Sequence, residues 1–451
     1  MSKKPLAIVI LAAGKGTRMK SPLPKVMHTL AGKPMISILI DEVARLKPAK
    51  IIVVTAPDMK ELRELVKPHE SVIQKEQNGT GDALKAALPA LKGFAGNVLV
   101  LMGDEPFTSL DLLKSMAAYN GASAMAIVPP DPTGLGRMIT DGDILVDIVE
   151  EKDCSPEQRE IFVCNAGNYC FPAEKLTRWL TKLSNRNAQG EYYLTDLPKI
   201  AAADGVETKV FAVSIDYTWG VNDRAQLAEH EHIFQSRLRE KFLKDGVSMQ
   251  DPATVYFHHD TKIGANVHIE PNVWFGKGVV IGDNAHIKAF SHIEGATVGK
   301  NTTVGPMARL RPGAKIGNDV RIGNFVEIKN STIGDRSKVS HLGYVGDCIM
   351  GDETNFGCGA ITVNYDGFEK YQTVIGKGAM VGSNVNLIAP VQIDDGAFIA
   401  AGSTITENVP ADALSVGRSR NEIREGWAAK FRKIKAQKKR EAAKAAGKKV
   451  S

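Results

Sequence analysis

The segment Leu11-Ala12-Ala13-Gly14-Lys15-Gly16-Thr17-Arg18 has the make-up of a strand end turning into a phosphate cradle. Glycines let backbone N–H groups approach phosphate oxygens, and Arg18 and Lys25 add positive charge. A bare Gly14-x-Gly16 also suits any tight strand-to-helix turn. It lacks the third glycine of a dinucleotide-binding fingerprint and the Gly-Lys-Ser/Thr of a P-loop. Asp104 follows the apolar run Val98–Met102 and Gly103, where a carboxylate at a strand end can hold a divalent cation against a triphosphate. Asp104 also precedes Pro106 closely enough to be a turn former. Asn222 offers an amide oxygen to the same kind of hard cation, or else caps the helix that follows. His341 is of a type that titrates near neutrality and can take a proton from an amine, although a lone histidine is commonly structural. Arg311 and Lys329 suit a phosphate clamp, one bidentate and one a point charge; ordinary surface charge is the alternative.

The elements that must position these residues fall into three stretches. Residues 1–228 alternate short apolar runs with amphipathic ones. Ala7–Ala12, Ile51–Thr55, Val98–Met102 and Ser123–Val128 read as strands of an α/β, Rossmann-like domain, its mostly parallel sheet covered on both faces. Ligands in such sheets bind beyond the carboxyl ends of strands, which places the loops Leu11–Arg18 and Leu101–Pro106 at the site. Residues 229–249 read as a helical linker arm: Leu227, Phe234, Leu238 and Phe242 share one helical face, and Gly246 can end the helix. Residues 250–451 carry a six-residue repeat, including Ile263-Gly264-Ala265-Asn266-Val267-His268 and Ile281-Gly282-Asp283-Asn284-Ala285-His286. Three such units make one triangular coil with aliphatics stacked inside and small residues at the corners. That accounts together for 42 glycines and only 6% aromatic residues. The period breaks at Thr362–Val374, a natural place for a binding loop.

These hexapeptides resemble the left-handed parallel β-helix of hexapeptide acyltransferases. The resemblance implies the hand, assembly as a homotrimer, and active sites between neighbouring coils. Leu11–Met19 with Pro24-Lys25, Gln74 with Gly79-Thr80-Gly81, and Gly103-Asp104 resemble the signature of sugar-nucleotide pyrophosphorylases. Nearly the whole chain is similar to the bifunctional bacterial N-acetylglucosamine-1-phosphate uridyltransferase and glucosamine-1-phosphate N-acetyltransferase family of cell-wall precursor synthesis. The further matches are Pro132–Arg137, Ile148–Glu150, Asn165–Gly167, Gln189–Asp196, Arg309–Gly313, Gly323–Lys329 and Ser340–Tyr344.

By this resemblance, the backbone of Leu11, Ala12, Ala13 and Gly14 holds uridine together with Gln74, Gly79 and Thr80. Met102 and Gly103 border the nucleotide, with Met102 standing where the family often has tyrosine. Gly136, Glu150 and Asn165 hold the acetylated sugar; Arg18 and Lys25 face phosphates; Asp104 and Asn222 hold Mg²⁺. In the second half His341 is the base and Arg311, Lys329 and Lys370 bind the sugar phosphate. Tyr344, Asn355 and Asn364 line the amino-sugar site. Tyr365, Ser383, Ala401 and Arg418 line the acetyl-CoA site, where Cys358 replaces a common alanine and is expected to be a packed small side chain.

The implied enzyme acetylates glucosamine-1-phosphate with acetyl-CoA, then transfers UMP from UTP to N-acetylglucosamine-1-phosphate and releases pyrophosphate. A pyrophosphorylase with a non-catalytic β-helix and a trimeric scaffold that only binds nucleotide sugar remain alternatives. Composition agrees with a soluble chain: of 451 residues, 43% are apolar and 24% charged, and no apolar run approaches a membrane span. Five cysteines without a CxxC pair argue against a disulfide scaffold and for a cytoplasmic compartment. The net charge of +6 comes from the tail Lys430–Arg440, read as a solvated, partly helical or disordered terminus. With no aromatics interleaved among its charges, base stacking, and with it a nucleic-acid partner, is not expected.

Overall fold

The computed structural model describes residues 4–187, 190–214 and 220–445; Gln189 of the segment quoted above lies outside them. By contacts the chain divides into Met1–Lys262 with Trp274–Val279, and Ile263–Val273 with Val280–Ser451.

The first unit is built on a nine-stranded sheet in the order Glu70–Ile73, Lys50–Thr55, Leu6–Leu11, Asn97–Met102, Cys164–Pro172, Ala122–Ile127, Thr208–Val213, Ile144–Val149, Arg137–Asp141. Ile8, Val9 and Ile10 are all fully buried although successive side chains point to opposite faces. Both faces are therefore covered, and the strand reads as a continuous apolar run. Leu6–Leu11 pairs in parallel with Lys50–Thr55 on one side and Asn97–Met102 on the other. The chain thus reverses its direction across the sheet at Leu6–Leu11, and such a switch point opens a crevice beyond the carboxyl ends.

Three strands depart from the parallel expectation: the edge pair Ile144–Val149 and Arg137–Asp141, and Cys164–Pro172 inside the sheet. Cys164–Pro172 runs antiparallel to both its neighbours, Asn97–Met102 and Ala122–Ile127. A register shift between Asn165 and Tyr169 interrupts its pairing with Ala122–Ile127.

The helix Arg224–Lys244 is capped by Asp223, whose side chain accepts the Gln226 N–H at 2.9 Å. It ends before Gly246, at φ 92°. Its most buried residues are His230, Gln235, Arg239 and Phe242, whereas Leu227, Phe234 and Leu238 are half-buried. Gln235 exchanges two hydrogen bonds with the Phe257 backbone at 2.7 and 2.9 Å, and Arg239 donates to Val255 O at 3.2 Å. The apolar face makes contacts as well: Phe242 meets the Phe257 ring at 4.6 Å, Phe234 stacks on Phe107 at 5.9 Å, and Leu227 packs on the same cluster, with the polar residues satisfying buried backbone groups beside them.

The second unit is a left-handed parallel β-helix of short stacked strands. Ile269, Ile287, Val304, Ile322, Val339, Phe356, Val381 and Ile399 pair in succession and are all buried. Three positions after each comes a corner: Asn272, Phe290, Met307, Phe325, Leu342, Gly359, Asn384 and Gly402, all at positive φ. Asn and Gly tolerate that conformation; bulky side chains pay about 1–2 kcal/mol for it. Four bulky apolar residues nevertheless sit there in succession, 45–59% exposed.

The tail forms the helix Trp427–Ala445. The reading that no aromatics accompany its charges needs correction: Trp427 stacks on Phe431 at 5.0 Å, and Lys435 lies over the Phe431 ring.

Candidate active sites

A cleft of about 430 Å³ opens at the switch point, lined among others by Leu11, Ala12, Ala13, Gly14, Lys25, Gln74, Gly79, Thr80, Met102 and Asp104. An adjoining cavity of about 230 Å³ shares Thr80 and Met102 and adds Glu150 and Asn165. The resemblance implies uridine on the first set and acetylated sugar on the second. Gly136 lies beside the second, its carbonyl accepting the Asn165 N–H at 2.9 Å.

At the edge of the larger cleft, oxygens from distant segments converge on cations. Lys25 Nζ donates to Asp104 Oδ2 and, at 3.2 Å, to Asn222 Oδ1. Arg18 Nη2 donates to the same Asn222 oxygen at 2.8 Å. Because Asp223 supplies the helix cap, Asn222 is released from that role. Gly103 brings Asp104 into place: its N–H donates to Leu11 O at 2.9 Å, and an added Cβ would meet the same oxygen at 2.9 Å. A carboxylate and an amide oxygen aimed at one point of positive charge are the donor set of a hard divalent cation.

Gln74 is buried, and its Nε2 donates to Gly79 O at 3.0 Å and to Asp82 Oδ2 at 2.8 Å. Both partners are acceptors, so the amide orientation is fixed and Oε1 remains as an acceptor. The Met102 backbone is fully engaged, its N–H by Asn168 Oδ1 at 3.0 Å and its carbonyl by the Glu105 N–H at 3.3 Å. At this departure from the family pattern, what Met102 offers the cleft is therefore its thioether. Glu150 sits exposed at the mouth of the smaller cavity; crowding by the wall, then Asp153 and Asp196, push its carboxyl above the usual range.

In the second unit the corner rows order the candidates. Asn324 pairs with His341, and two positions beyond the stacked Phe356, Val381 and Ile399 stand Cys358, Ser383 and Ala401. The backbone bonds Asn384 N–H to Cys358 O and Gly402 N–H to Ser383 O, both 2.8 Å, continue the row. His341 is exposed and outside the prism. Its Nδ1 lies 3.3 Å from Asn324 Oδ1, a pairing that assigns the proton to Nδ1 and leaves the Nε2 lone pair free. Cys358 is exposed too, which corrects its expected packing as a small interior side chain. Arg418 reaches this end of the row, with its Cδ 3.7 Å from where a Gly402 Cβ would stand.

Arg311 and Lys329 lie at the far end of the strand that starts near Asn324, with the Glu327–Tyr344 pair between. Arg311 pairs with Glu327 at 2.8 Å. The ammonium of Lys370, then partial burial, hold the Lys329 amine below its usual range. Two cations in contact mark a place for an anion. Lys370 belongs to the interrupting loop, bridged to Tyr365. That loop is a small hairpin: Tyr365 OH donates to Gly367 O at 2.6 Å, and Asn364 is buried with its amide on Asp347. Asn355 donates to Met380 Sδ at 3.3 Å.

Residues 8–184 match the MobA-like NTP transferase domain, and 260–295, 278–312, 295–330 and 372–407 match the bacterial transferase hexapeptide (six repeats). The bifunctional protein GlmU of Paramagnetospirillum magneticum is 46% identical over 445 residues, covering 97% of this chain and 99% of its own length. That of Azorhizobium caulinodans is 45% identical over 440 residues (96% and 98%), and that of Rhodospirillum rubrum 48% over 432 (94% and 97%). The chain belongs to the bifunctional GlmU family.

Several residues at the first site escaped the sequence reading. Gln77 donates to Ala13 O at 2.6 Å and so fixes the glycine-rich turn. Asn168, besides holding Met102, donates to Glu105 Oε2 at 2.5 Å. Burial, then the Asp104 charge, push the Glu105 carboxyl far above its usual range. Single polar residues next to recognised motifs carry no periodic signal, although the pair Asp104-Glu105 at a strand end was visible.

The Lys329–Lys370 contact gives a signed prediction. Removing a like charge favours the protonated form, so Lys370→Met should raise the Lys329 pKa, and added glucosamine-1-phosphate should raise it in the unsubstituted protein. NMR of methyl-labelled lysines across pH reads both. A Lys329 titration unmoved by either change would show that the two ammoniums are not neighbours in solution.

Proposed function

We propose that this GlmU-family chain makes UDP-N-acetylglucosamine in two steps: acetyl-CoA-dependent acetylation of glucosamine-1-phosphate at residues 250–451, then uridylyl transfer from UTP at residues 1–228, with 229–249 as the connecting arm. The observation that carries the reading is the convergence of Asp104, Asn222, Lys25 and Arg18 beside two adjoining cavities, on the same chain as an exposed imidazole aligned with Ser383 and Ala401. Among the described residues no helix is long and apolar enough to cross a membrane. The cytoplasm, where UTP and acetyl-CoA are found, is the compartment that fits.

In the uridylyl step the sugar-phosphate oxygen attacks the α-phosphorus of UTP in line, the bond to the β-phosphate oxygen breaks, and pyrophosphate leaves. The attacking oxygen is already anionic, so no protein base is required. Gln74 Oε1 accepts the uracil N3–H, the Leu11–Gly14 backbone with Gly79 and Thr80 bounds the nucleoside, and Glu150 and Asn165 orient the sugar. Lys25 and Arg18 neutralise phosphate charge. Mg²⁺ held by Asp104 and Asn222 would supply further charge neutralisation at the triphosphate.

In the acetyl step the glucosamine nitrogen attacks the thioester carbon, His341 Nε2 takes the amine proton, and the C–S bond breaks to release CoA. Arg311, Lys329 and Lys370 fix the sugar phosphate. Tyr344, Asn355 and Asn364 border the amino sugar, and Tyr365, Cys358, Ser383, Ala401 and Arg418 border acetyl-CoA.

The working form is a homotrimer. Phe290, Met307, Phe325 and Leu342 make an apolar stripe at corners where asparagine and glycine stand above and below, and it adjoins Asn324 and His341. Burying such a side chain returns about 1.5–3 kcal/mol, enough to offset its backbone strain. A second copy laid on this stripe would wall the imidazole.

Following thiol and pyrophosphate separately tests the two activities. His341→Ala should abolish thiol release from acetyl-CoA and glucosamine-1-phosphate while leaving pyrophosphate release from the acetylated sugar phosphate intact. Asp104→Ala should do the reverse. Loss of both in either variant would contradict separate sites, and absence of thiol release from the unsubstituted protein would leave only the pyrophosphorylase. For the assembly, Phe325→Asn with Leu342→Asn suits the left-handed backbone but deletes the stripe; sedimentation should show dissociation and acetyl transfer should fall at least tenfold. An undiminished trimer would place the interface elsewhere.

A further inference from the structure

Three consecutive side chains outside both sites, His258, His259 and Asp260, bring one donor atom each within 4.8 Å of one another. All belong to the first unit and follow the strand Tyr256–Phe257. Their backbone is pinned on two sides. The His258 N–H donates to Phe275 O and the His259 N–H to Ala31 O, both at 2.9 Å, and the Thr261 N–H closes the turn on His258 O at 3.1 Å. The Asp260 carboxylate accepts the Gly278 N–H at 3.0 and 3.2 Å and lies 2.6 Å from His258 Nδ1.

We propose that His258, His259 and Asp260 form a binding site for a borderline transition-metal cation of the Zn²⁺, Co²⁺ and Ni²⁺ class, separate from the oxygen pair at Asp104 and Asn222. Two imidazoles and one carboxylate suit those ions; Mg²⁺ prefers oxygen ligands and retained waters. Orientation is largely set before any ion arrives. The His258 ring is pressed over Gly32, where a Cβ would come within 2.0 Å of Nε2. Nε2 therefore faces backbone, and Nδ1 faces the carboxylate. The Gly278 N–H supplies the outer contact that aims a ligating carboxylate.

A tetrahedral ion with bonds of about 2.0–2.2 Å separates its ligand atoms by roughly 3.3 Å. The 2.6 Å contact between His258 Nδ1 and Asp260 must open modestly to admit the ion. The nearby charge of Lys33 is balanced by its ion pair with Asp41. A bound ion would brace the turn, and through the His259–Ala31 bond the hairpin of Thr29–Leu30 and Lys33–Pro34. Binding only the folded state would stabilise the first unit.

The test uses full-length protein freed of metal by a chelator and titrated with Co²⁺, then Zn²⁺. The expected result is one saturable set of visible ligand-field bands without a sulfur-to-metal charge-transfer band, which sets Cys358 aside. Zn²⁺ should displace those bands and raise the melting temperature. His259→Ala, at an exposed position, and Asp260→Asn, which keeps an acceptor for Gly278, should each weaken Zn²⁺ binding about tenfold or more. Asp104→Ala should leave it unchanged. Absence of a saturable Co²⁺ signal, equal Zn²⁺ affinity in the two ligand variants, or a loss confined to Asp104→Ala would each overturn the proposal.

Discussion

Hydrogen bonding between parallel strands is the constraint from which the rest of this molecule follows. Parallel pairing engages the backbone along each strand and covers the side chains on both faces of a strand such as Leu6–Leu11, so no chemistry can be done mid-strand. Reactive groups are left the places where pairing stops. In the first unit that is the carboxyl edge of the sheet at the switch point, where Leu11 and Met102 end side by side. In the second the candidates stand beside the positive-φ corners, where Asn324 and His341 still pair and Cys358, Ser383 and Ala401 continue the row coil over coil.

Each edge then acquires a charge pattern of its own. At the sheet edge, Asp104 and Asn222 arrive from opposite ends of the unit and meet on Lys25, with Arg18 sharing the amide oxygen. Behind them stand Glu105, its carboxyl pushed up by burial, and Asn168, which holds both Glu105 and the Met102 N–H. On the β-helix the charges are mostly positive: Lys329 and Lys370 are neighbours, and Arg311 pairs with Glu327. One edge gathers oxygens around two cations, the other gathers cations.

Much of this was legible in the sequence, for identifiable reasons. The hexapeptide period is strict because every coil must stack an aliphatic on an aliphatic, and the strands of the first unit announced themselves because covered faces demand continuous apolar runs. Cys164–Pro172 was missed because its bulge is written in turn residues. The helix Arg224–Lys244 was found by periodicity, and Phe234 and Phe242 of that face meet Phe107 and Phe257; the contacts of Gln235 and Arg239, which satisfy backbone groups, leave no apolar trace. His341 could be named only through its flanking motif; the corner row that gives it neighbours exists only in three dimensions. The apolar stripe was likewise invisible until one knew that Phe290, Met307, Phe325 and Leu342 share a corner and a left-handed backbone.

If the two edges are as independent as their separate backbone frameworks imply, one chain need not carry both chemistries. The most direct measurement mixes separately purified His341→Ala and Asp104→Ala proteins, neither competent for the whole conversion, and supplies glucosamine-1-phosphate, acetyl-CoA, UTP and Mg²⁺. The account predicts that UDP-N-acetylglucosamine accumulates in the mixture and in neither protein alone, the acetylated intermediate passing through solution. A mixture as inactive as its components, with each variant retaining its own half-reaction, would contradict it.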